Sequence, residues 1–503
     1  MRGYLTFFVI AVMSLGLVFL LVTRSRSPHD APAEIVPPPV ASAADAGADA
    51  KDASAPEAGV AAKDASAPDA APAPKSVLRP LRIASLGWEL VAAGAAMATP
   101  DAGAAPTFEL APETSLDAIE ARLARGGADP TGADVAIVPL PSFIVSYERL
   151  RALDPRAFMV VGFSRGREEM HAAPGALLKA PPAADEVKLV ALGPSMTDPG
   201  ARAMGSDSAT ALGLFALDTL GVASARVRFI MPGSPEAKAA SYAAVVKGAA
   251  DDRKLVFSTA DASRFVPIVA VAPRSLIDSD EGRLRELARA WFEGLDRAGK
   301  DASGVARRLA NKDGLPLAAG VGGAPEAIAL LERLGQIEPA KLSDQQLWIG
   351  PSARPSASLS KLTQHTWQLL RGGGLTAAAA PEGLPIDPRV VLAIAPAPPK
   401  VEAPAADATA GATFAPAPAK ATPILAYRAD SSADADSVAA EIGFLANVFE
   451  RAAFRVSAKG GDKAAKAIAA AARDKEGVAA TRLSTTATEP TGAFASVEIL
   501  VLP

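Results

Sequence analysis

Gly162-Phe163-Ser164-Arg165-Gly166 is a G-x-S-x-G run directly behind the apolar stretch Ala157–Val161. In hydrolases this spacing presents a nucleophilic serine on a tight strand-to-helix turn. A triad would then need a base, and His365 is the histidine in suitable chain order, since His29 and His171 lie elsewhere. Two features count against it: Pro174 and Gly175 break the helix signal that should follow, and no glycine-rich oxyanion loop lies upstream. A glycine-flanked turn accounts for the same residues, so the chain is not read as an enzyme. Gly320-Val321-Gly322-Gly323 also fails as a phosphate cradle, because no Lys-Ser/Thr follows it. It reads as a loop between helices.

The absences narrow the chemistry further. The 503 residues include no cysteine, which removes a thiolate nucleophile, a cysteine-ligated zinc and an iron–sulfur cluster. The three histidines are far apart and show no metal-ligand spacing. No cofactor and no metal are expected. A net charge of −4 leaves no basic footprint, so nucleic acid is not an expected partner.

The elements that would position any site are organised around one membrane signal and two spacers. Tyr4–Val22 is nineteen uncharged, mostly apolar residues. As a helix at about 1.5 Å per residue they reach roughly 28 Å, the thickness of a bilayer core. A cleaved signal peptide would have a shorter apolar region and a nearby small-residue cleavage site. Here the nearest Ala-x-Ala, Ala41-Ser42-Ala43, is far downstream. The expectation is a transmembrane anchor over 4–22. Arg2 on one side and Arg24 with Arg26 on the other leave the positive-inside rule nearly balanced.

Residues 23–78 are rich in alanine, proline and aspartate and repeat Ala-Lys-Asp-Ala-Ser-Ala-Pro at 50–56 and 62–68. Such a composition buries too little apolar surface to offset ordering entropy, so a disordered tether is expected. A second stretch of this kind, 396–422, reads as a linker. The two spacers bound a body at 79–395 and a module at 423–503, each the size of a compact unit.

The body alternates strand and helix signals. Strands are expected at Leu81–Leu86, Phe108–Leu110, Val135–Val138, Phe158–Val161, Val187–Leu192, Val227–Ile230, Lys254–Ser258 and Val266–Val271. Helices are expected at Ser115–Arg125 with Ser115 as N-cap, Ser208–Leu220 closed by Gly221, Gly282–Arg297 and Ala302–Leu309. This alternation predicts an α/β body with largely parallel sheets.

Five stretches carry a resemblance: Leu81–Glu89, Ser115–Phe143, Gly205–Val222, Leu255–Ile277 and Leu284–Gly299. Together they resemble the type II periplasmic solute-binding proteins of nitrate/sulfonate/taurine ABC importers. The resemblance implies a two-lobed type II periplasmic-binding-protein fold, with a small anionic or polar solute bound in the cleft. An ABC permease is an implied candidate partner. The body is expected in the periplasm, tethered to the inner membrane by a single pass. In such a cleft, strand ends and helix starts converge, and their free N–H groups favour oxyanions. Ser206, Ser208 and Thr210, at the start of a helix, are the best candidates for ligand binding. Asp207 among them would repel an anion. Trp88 is a candidate stacking wall and Ser142 a candidate hydroxyl donor. The weak match of Tyr242–Lys254 to the family's acidic and aromatic stretch suggests a degraded ligand pattern.

The end of the chain reads strand, helix, strand, helix, strand, strand over Ile424–Arg428, Ala433–Arg451, Phe454–Ala458, Asp462–Arg473, Arg482–Thr486 and Val497–Leu502. Ile424–Gly460 resembles the first half of the OmpA-like peptidoglycan-binding domain, a small α+β fold. In that family an aspartate and an arginine grip the diaminopimelate end of the wall peptide. The loop after Ala458 is contracted, so Asp462 is no more than a candidate stand-in for the aspartate, and Phe494-Ala495-Ser496 occupies the arginine position. Peptidoglycan binding is therefore doubtful. The alternative function is a ligand-free envelope scaffold using both modules for protein or cell-wall contact.

Overall fold

The computed structural model describes residues 79–85, 108–113, 115–179, 185–193, 206–247, 253–301, 336–350, 355–396, 421–429, 434–488, 490 and 497–503. The expected anchor and tether, Trp88, the helix at 302–309 and the glycine run at 320–323 lie outside them. Among the described residues no helix is long and apolar enough to cross a membrane.

Short apolar runs build two sheets. The first uses β1 (Leu81–Ser85), β2 (Phe108–Pro112), β3 (Val135–Pro139) and β4 (Pro155–Ser164). Every residue of β3 is buried, as expected of a strand covered on both faces. The chain then leaves for a second sheet of β5 (Glu168–Ala172), β6 (Val187–Val190), β7 (Val227–Ile230), β8 (Tyr242–Val246) and β9 (Lys254–Ser258). It returns to the first sheet as β10 (Pro267–Pro273) and later adds β11 (Ile337–Pro339).

Both sheets have the same internal order. The first runs β11-β4-β10-β3-β1-β2 and the second β7-β6-β8-β5-β9. In each, three adjacent strands are parallel, β2-β1-β3 and β7-β6-β8. The next is antiparallel to both neighbours: β10 lies between β3 and β4, and β5 between β8 and β9. That antiparallel strand is in each case the first one formed after the chain crosses between sheets. Two lobes are thus stitched together by two crossovers, 165–167 and 259–266.

Helices cover the sheets by ordinary rules. In α1 (Leu116–Arg125) the Ser115 hydroxyl accepts from the Ala118 N–H at 3.2 Å, and Leu116, Ile119 and Leu123 are buried. Pro139 ends β3 and stands at the N-cap of α2 (Leu140–Leu150), and Pro141 lies in the first turn of that helix, where a proline lacks only an N–H that has no helical partner. Next come α3 (Ser206–Thr219), α4 (Arg274–Ser279), α5 (Glu281–Lys300), α6 (Gln345–Trp348), α7 (Leu359–Gly372) and α8 (Arg389–Leu392). Helices α2 and α3 pack on each other, and α7 packs on both.

Tyr242–Lys254, expected as a degraded ligand stretch, begins with β8, a central strand of the second sheet. The strand β5, Glu-Glu-Met-His-Ala, was not expected, because two acids obscure its strand pattern.

The chain ends in a third sheet of order β12-β15-β13-β14, from β12 (Leu425–Ala429), β13 (Ala453–Ala458), β14 (Leu483–Thr485) and β15 (Val497–Leu502). Helices α9 (Ala435–Val448) and α10 (Gly461–Asp474) pack together on it. This module shares its core with the body. Phe215 of α3 stacks on Phe265 at 4.6 Å and meets Phe444 edge-on at 6.3 Å. Phe449 lies 6.2 Å from Phe215 and 5.6 Å from Phe257. All five rings are fully buried, and Val77–Pro503 forms one compact unit. Polar ties add to the seam: Arg428 donates to the Leu178 and Lys179 carbonyls at 2.6 and 2.7 Å, and Ser356 to Glu476 at 2.5 Å.

A shared core predicts shared unfolding. Phe444→Ala should cost about 3–5 kcal/mol and lower the denaturation midpoint of body and module together. Intrinsic fluorescence of the body tryptophans, followed with far-UV circular dichroism, checks this. Separate transitions with only one shifted would contradict it.

Candidate functional site

The first crossover explains the G-x-S-x-G run. A Cβ on Gly162 would sit 2.8 Å from the Glu338 carbonyl of β11, so only glycine lets that strand approach. Gly166 has φ of 68°, a left-handed conformation natural to glycine. Ser164 is fully buried, and its hydroxyl donates to Glu168 Oε2 at 2.5 Å. Thr259, from the second crossover, donates to the same oxygen at 3.1 Å. Arg167 Nε donates to Glu168 Oε1 at 2.7 Å. The Thr259 hydroxyl also accepts from the Arg167 backbone N–H at 3.1 Å. Glu168 is fully buried and Arg167 nearly so. The serine is thus bonded to a structural carboxylate rather than to an imidazole. Sequence reasoning missed this network; its signal was an Arg-Glu pair set between apolar strands.

Open sheets with parallel strands bind ligands beyond the C-terminal ends of those strands, which makes that region the candidate cleft. The segments that follow β1, β6 and β8 fall largely outside the described residues, and Trp88 falls with them. The described part of the cleft is the end of β1 and the starts of α2 and α3. Ser142 is in the first turn of α2 and Ser208 in the first turn of α3. Both are fully buried, and neither hydroxyl has a partner among the described residues. Ser206 and Asp207 are buried beside Ser208. Thr210 is differently placed: its hydroxyl donates to the Ser206 carbonyl at 2.9 Å and the Leu192 carbonyl at 3.0 Å. On α7, which packs against both helices, Thr363 and Thr366 are also fully buried with unpartnered hydroxyls. Three touching helices therefore carry four such hydroxyls. A buried hydroxyl left unpaired costs about 1–3 kcal/mol unless water or a ligand answers it.

His365 joins no serine. It lies 5.0 Å from the Phe444 ring and 6.0 Å from that of Phe215, with Nε2 3.8 Å from Asp218 Oδ2. Burial, with Lys361 nearby, lowers its pKa to about 4. Burial, with Glu441 nearby, raises Asp218 to about 6. The two therefore do not form an ion pair as a major species: above pH 6 the imidazole is neutral, and below it the carboxyl is protonated.

Asp462 lies in the first turn of α10. Lys466 bridges it at 2.6 Å and Thr485 donates to it at 3.1 Å, and these partners hold its carboxyl below the usual range. Its charge is already answered within the module. Residues 494–496 lie outside the described residues. Among the described residues no group of three His, Cys, Asp or Glu could hold a metal ion.

No protein-family profile matches the chain, and no curated protein matches it. Solved structures similar to it include the periplasmic aliphatic sulphonate-binding protein SsuA from Escherichia coli, at 15% identity and a TM-score of 0.40 over 62% of this chain and 91% of that one. Another is the periplasmic nitrate-binding protein NrtA from Synechocystis PCC 6803, at 12% identity and a TM-score of 0.32 over 47% and 67%. A third is the desulfurization enzyme DSZB, at 14% identity and a TM-score of 0.34 over 63% and 98%. Likeness at this level carries no weight of its own and includes an enzyme. The reading of the fold stands on the strand orders.

Two outcomes follow from the buried charges. Glu168→Gln leaves Arg167 buried without its counter-ion and should cost about 3–5 kcal/mol, read from urea denaturation. Asp218 binds its proton more tightly folded than unfolded, so it favours folding below about pH 4, and that contribution is lost as pH rises through 6. With 41% of the side chain exposed, Asp218→Asn should gain only about 1 kcal/mol at pH 7. A pH series of melting temperatures should show the two proteins converging near pH 4.

Proposed function

We propose that this protein is a solute-binding protein of the cell envelope that captures a small polar solute between its two lobes. The observation that carries this is the reciprocal strand exchange, in which each sheet receives its antiparallel strand directly after a crossover. That arrangement leaves two lobes between which the chain passes only twice, a topology suited to hinge closure around a ligand. The four unpartnered hydroxyls on α2, α3 and α7 support a ligand that accepts or donates hydrogen bonds.

The charge at the helix start refines the solute class. Asp207 is buried in the first turn of α3, where its carboxylate takes up the favourable potential that an oxyanion would use. A neutral or zwitterionic polar solute suits this environment better than a simple anion. The segment 4–22 is proposed as the inner-membrane anchor, with the body in the periplasm and an ABC permease or a sensor as the downstream partner. The last module is proposed as OmpA-like on its element order, without peptidoglycan binding, since Asp462 is already paired.

The test uses the full chain in detergent. Native mass spectrometry should show a copurifying small molecule, and thermal shift should show a concentration-dependent rise with amino acids, sulfonates, nitrate, phosphate or bicarbonate. Ser142→Ala and Ser208→Ala should weaken that binding by about tenfold each while leaving the unliganded protein as stable or more so. An empty protein with no shift across the panel would favour the envelope-scaffold reading instead.

A further inference from the structure

The second crossover is held by the C-terminal module as well as by the lobes. The Arg264 backbone N–H donates to the Val448 carbonyl at the end of α9, at 3.2 Å. Its guanidinium reaches Glu450 of the module at 2.9 Å and Glu338 of β11 at 2.7 Å. It also lies over the Phe163 ring of β4 at 4.5 Å and near the Trp348 ring at 5.7 Å. The next residue, Phe265, is the ring stacked on Phe215. One pair of adjacent crossover residues thus touches the first sheet, the second lobe's helix and the module.

The module presents these contacts from a fixed turn. Arg482 donates to the carbonyls of Ala446, Phe449 and Ala452 at 3.0, 2.6 and 2.8 Å, closing the chain that follows α9. That turn carries Val448, Phe449 and Glu450 to the crossover. The module is also tied to the segment ahead of α7, through Asn447 to the Ala357 carbonyl at 3.3 Å. Helix α7 in turn spans α2 of one lobe and α3 of the other. The seam is not sealed: Arg264, Trp348, Ser356, Glu450, Glu476 and Arg482 line a cavity of about 200 Å³ between module and crossover.

From this we infer that the C-terminal module is a lock on the hinge. Docked, it holds the second crossover at one angle and so fixes the two lobes. Opening the lobes rotates the strands on either side of Arg264, and this requires the Arg264–Glu450 contact to part. The inference rests on the two-lobed solute-binding reading and adds its regulation: whatever parts Arg264 from Glu450 frees the lobes to move.

The chain has no cysteine, so a spin-label pair can be placed directly. Ala124→Cys on α1 of the first lobe and Lys238→Cys on the second are both exposed. Double electron–electron resonance on the full chain, with no solute added, should give one narrow distance. Glu450→Arg, which sets two like charges together at a half-exposed position, should raise the fraction at a second distance by about tenfold or more. Lys475→Glu, elsewhere on the module, should leave the distribution unchanged. Should circular dichroism show that Glu450→Arg misfolds, Glu450→Gln decides, with a smaller rise expected. A broad distribution in the unmodified protein overturns the lock, as does an unchanged narrow one in the folded Glu450 variant. Because the distances are read on protein dialysed free of any copurifying solute, failure of the ligand panel leaves this result standing, and the reverse also holds.

Discussion

A carboxylate removed from water must be answered from every side, and Glu168 imposes that demand at the waist of this molecule. Desolvating one such charge costs several kcal/mol unless partners restore the lost interactions. Its partners are Ser164 at the end of β4, Arg167 of the first crossover and Thr259 of the second. Both passages of the chain between the lobes therefore meet at one acid. Sheet order, strand exchange and lobe separation all depend on that meeting point being held.

Around this polar centre the apolar surface closes in an asymmetric way. Phe215 belongs to the second lobe, Phe265 to the return crossover, and Phe444 and Phe449 to the last module. An aromatic core drawn from three parts of the chain makes them stabilise one another. Alanine-rich elements such as α10, which buries Ala465, Ala469 and Ala472, contribute little area each at about 25 cal/mol per Å². A few phenylalanines then carry a large share of the burial, in a chain with only 5% aromatic residues.

The cleft helices show a different compromise. Their first turns are lined with small hydroxyls rather than with arginine or lysine, and Asp207 is buried among them. Hydroxyls can both donate and accept a hydrogen bond. Helix α7 touches both of these helices and, through His365 against Phe444, the last module.

Local patterns were enough to place most elements. The apolar runs of β1, β3, β7 and β9, the capped helix behind Ser115 and all six elements of the last module could be read from periodicity, because each buries its own face. What could not be read was decided by partners distant in sequence. Strand β5 carries two acids, and Glu168 can lie fully buried only because Arg167 beside it and Thr259, ninety-one residues away, supply its bonds. Ser164 suited a nucleophile by spacing, yet tertiary structure turned its hydroxyl to donate a hydrogen bond to Glu168. The proline pair at 139 and 141 gave the same signal for a turn as for a helix start. The module's place on the body was invisible for the same reason: a ring such as Phe444 announces that it will be buried, but only the folded chain decides against what.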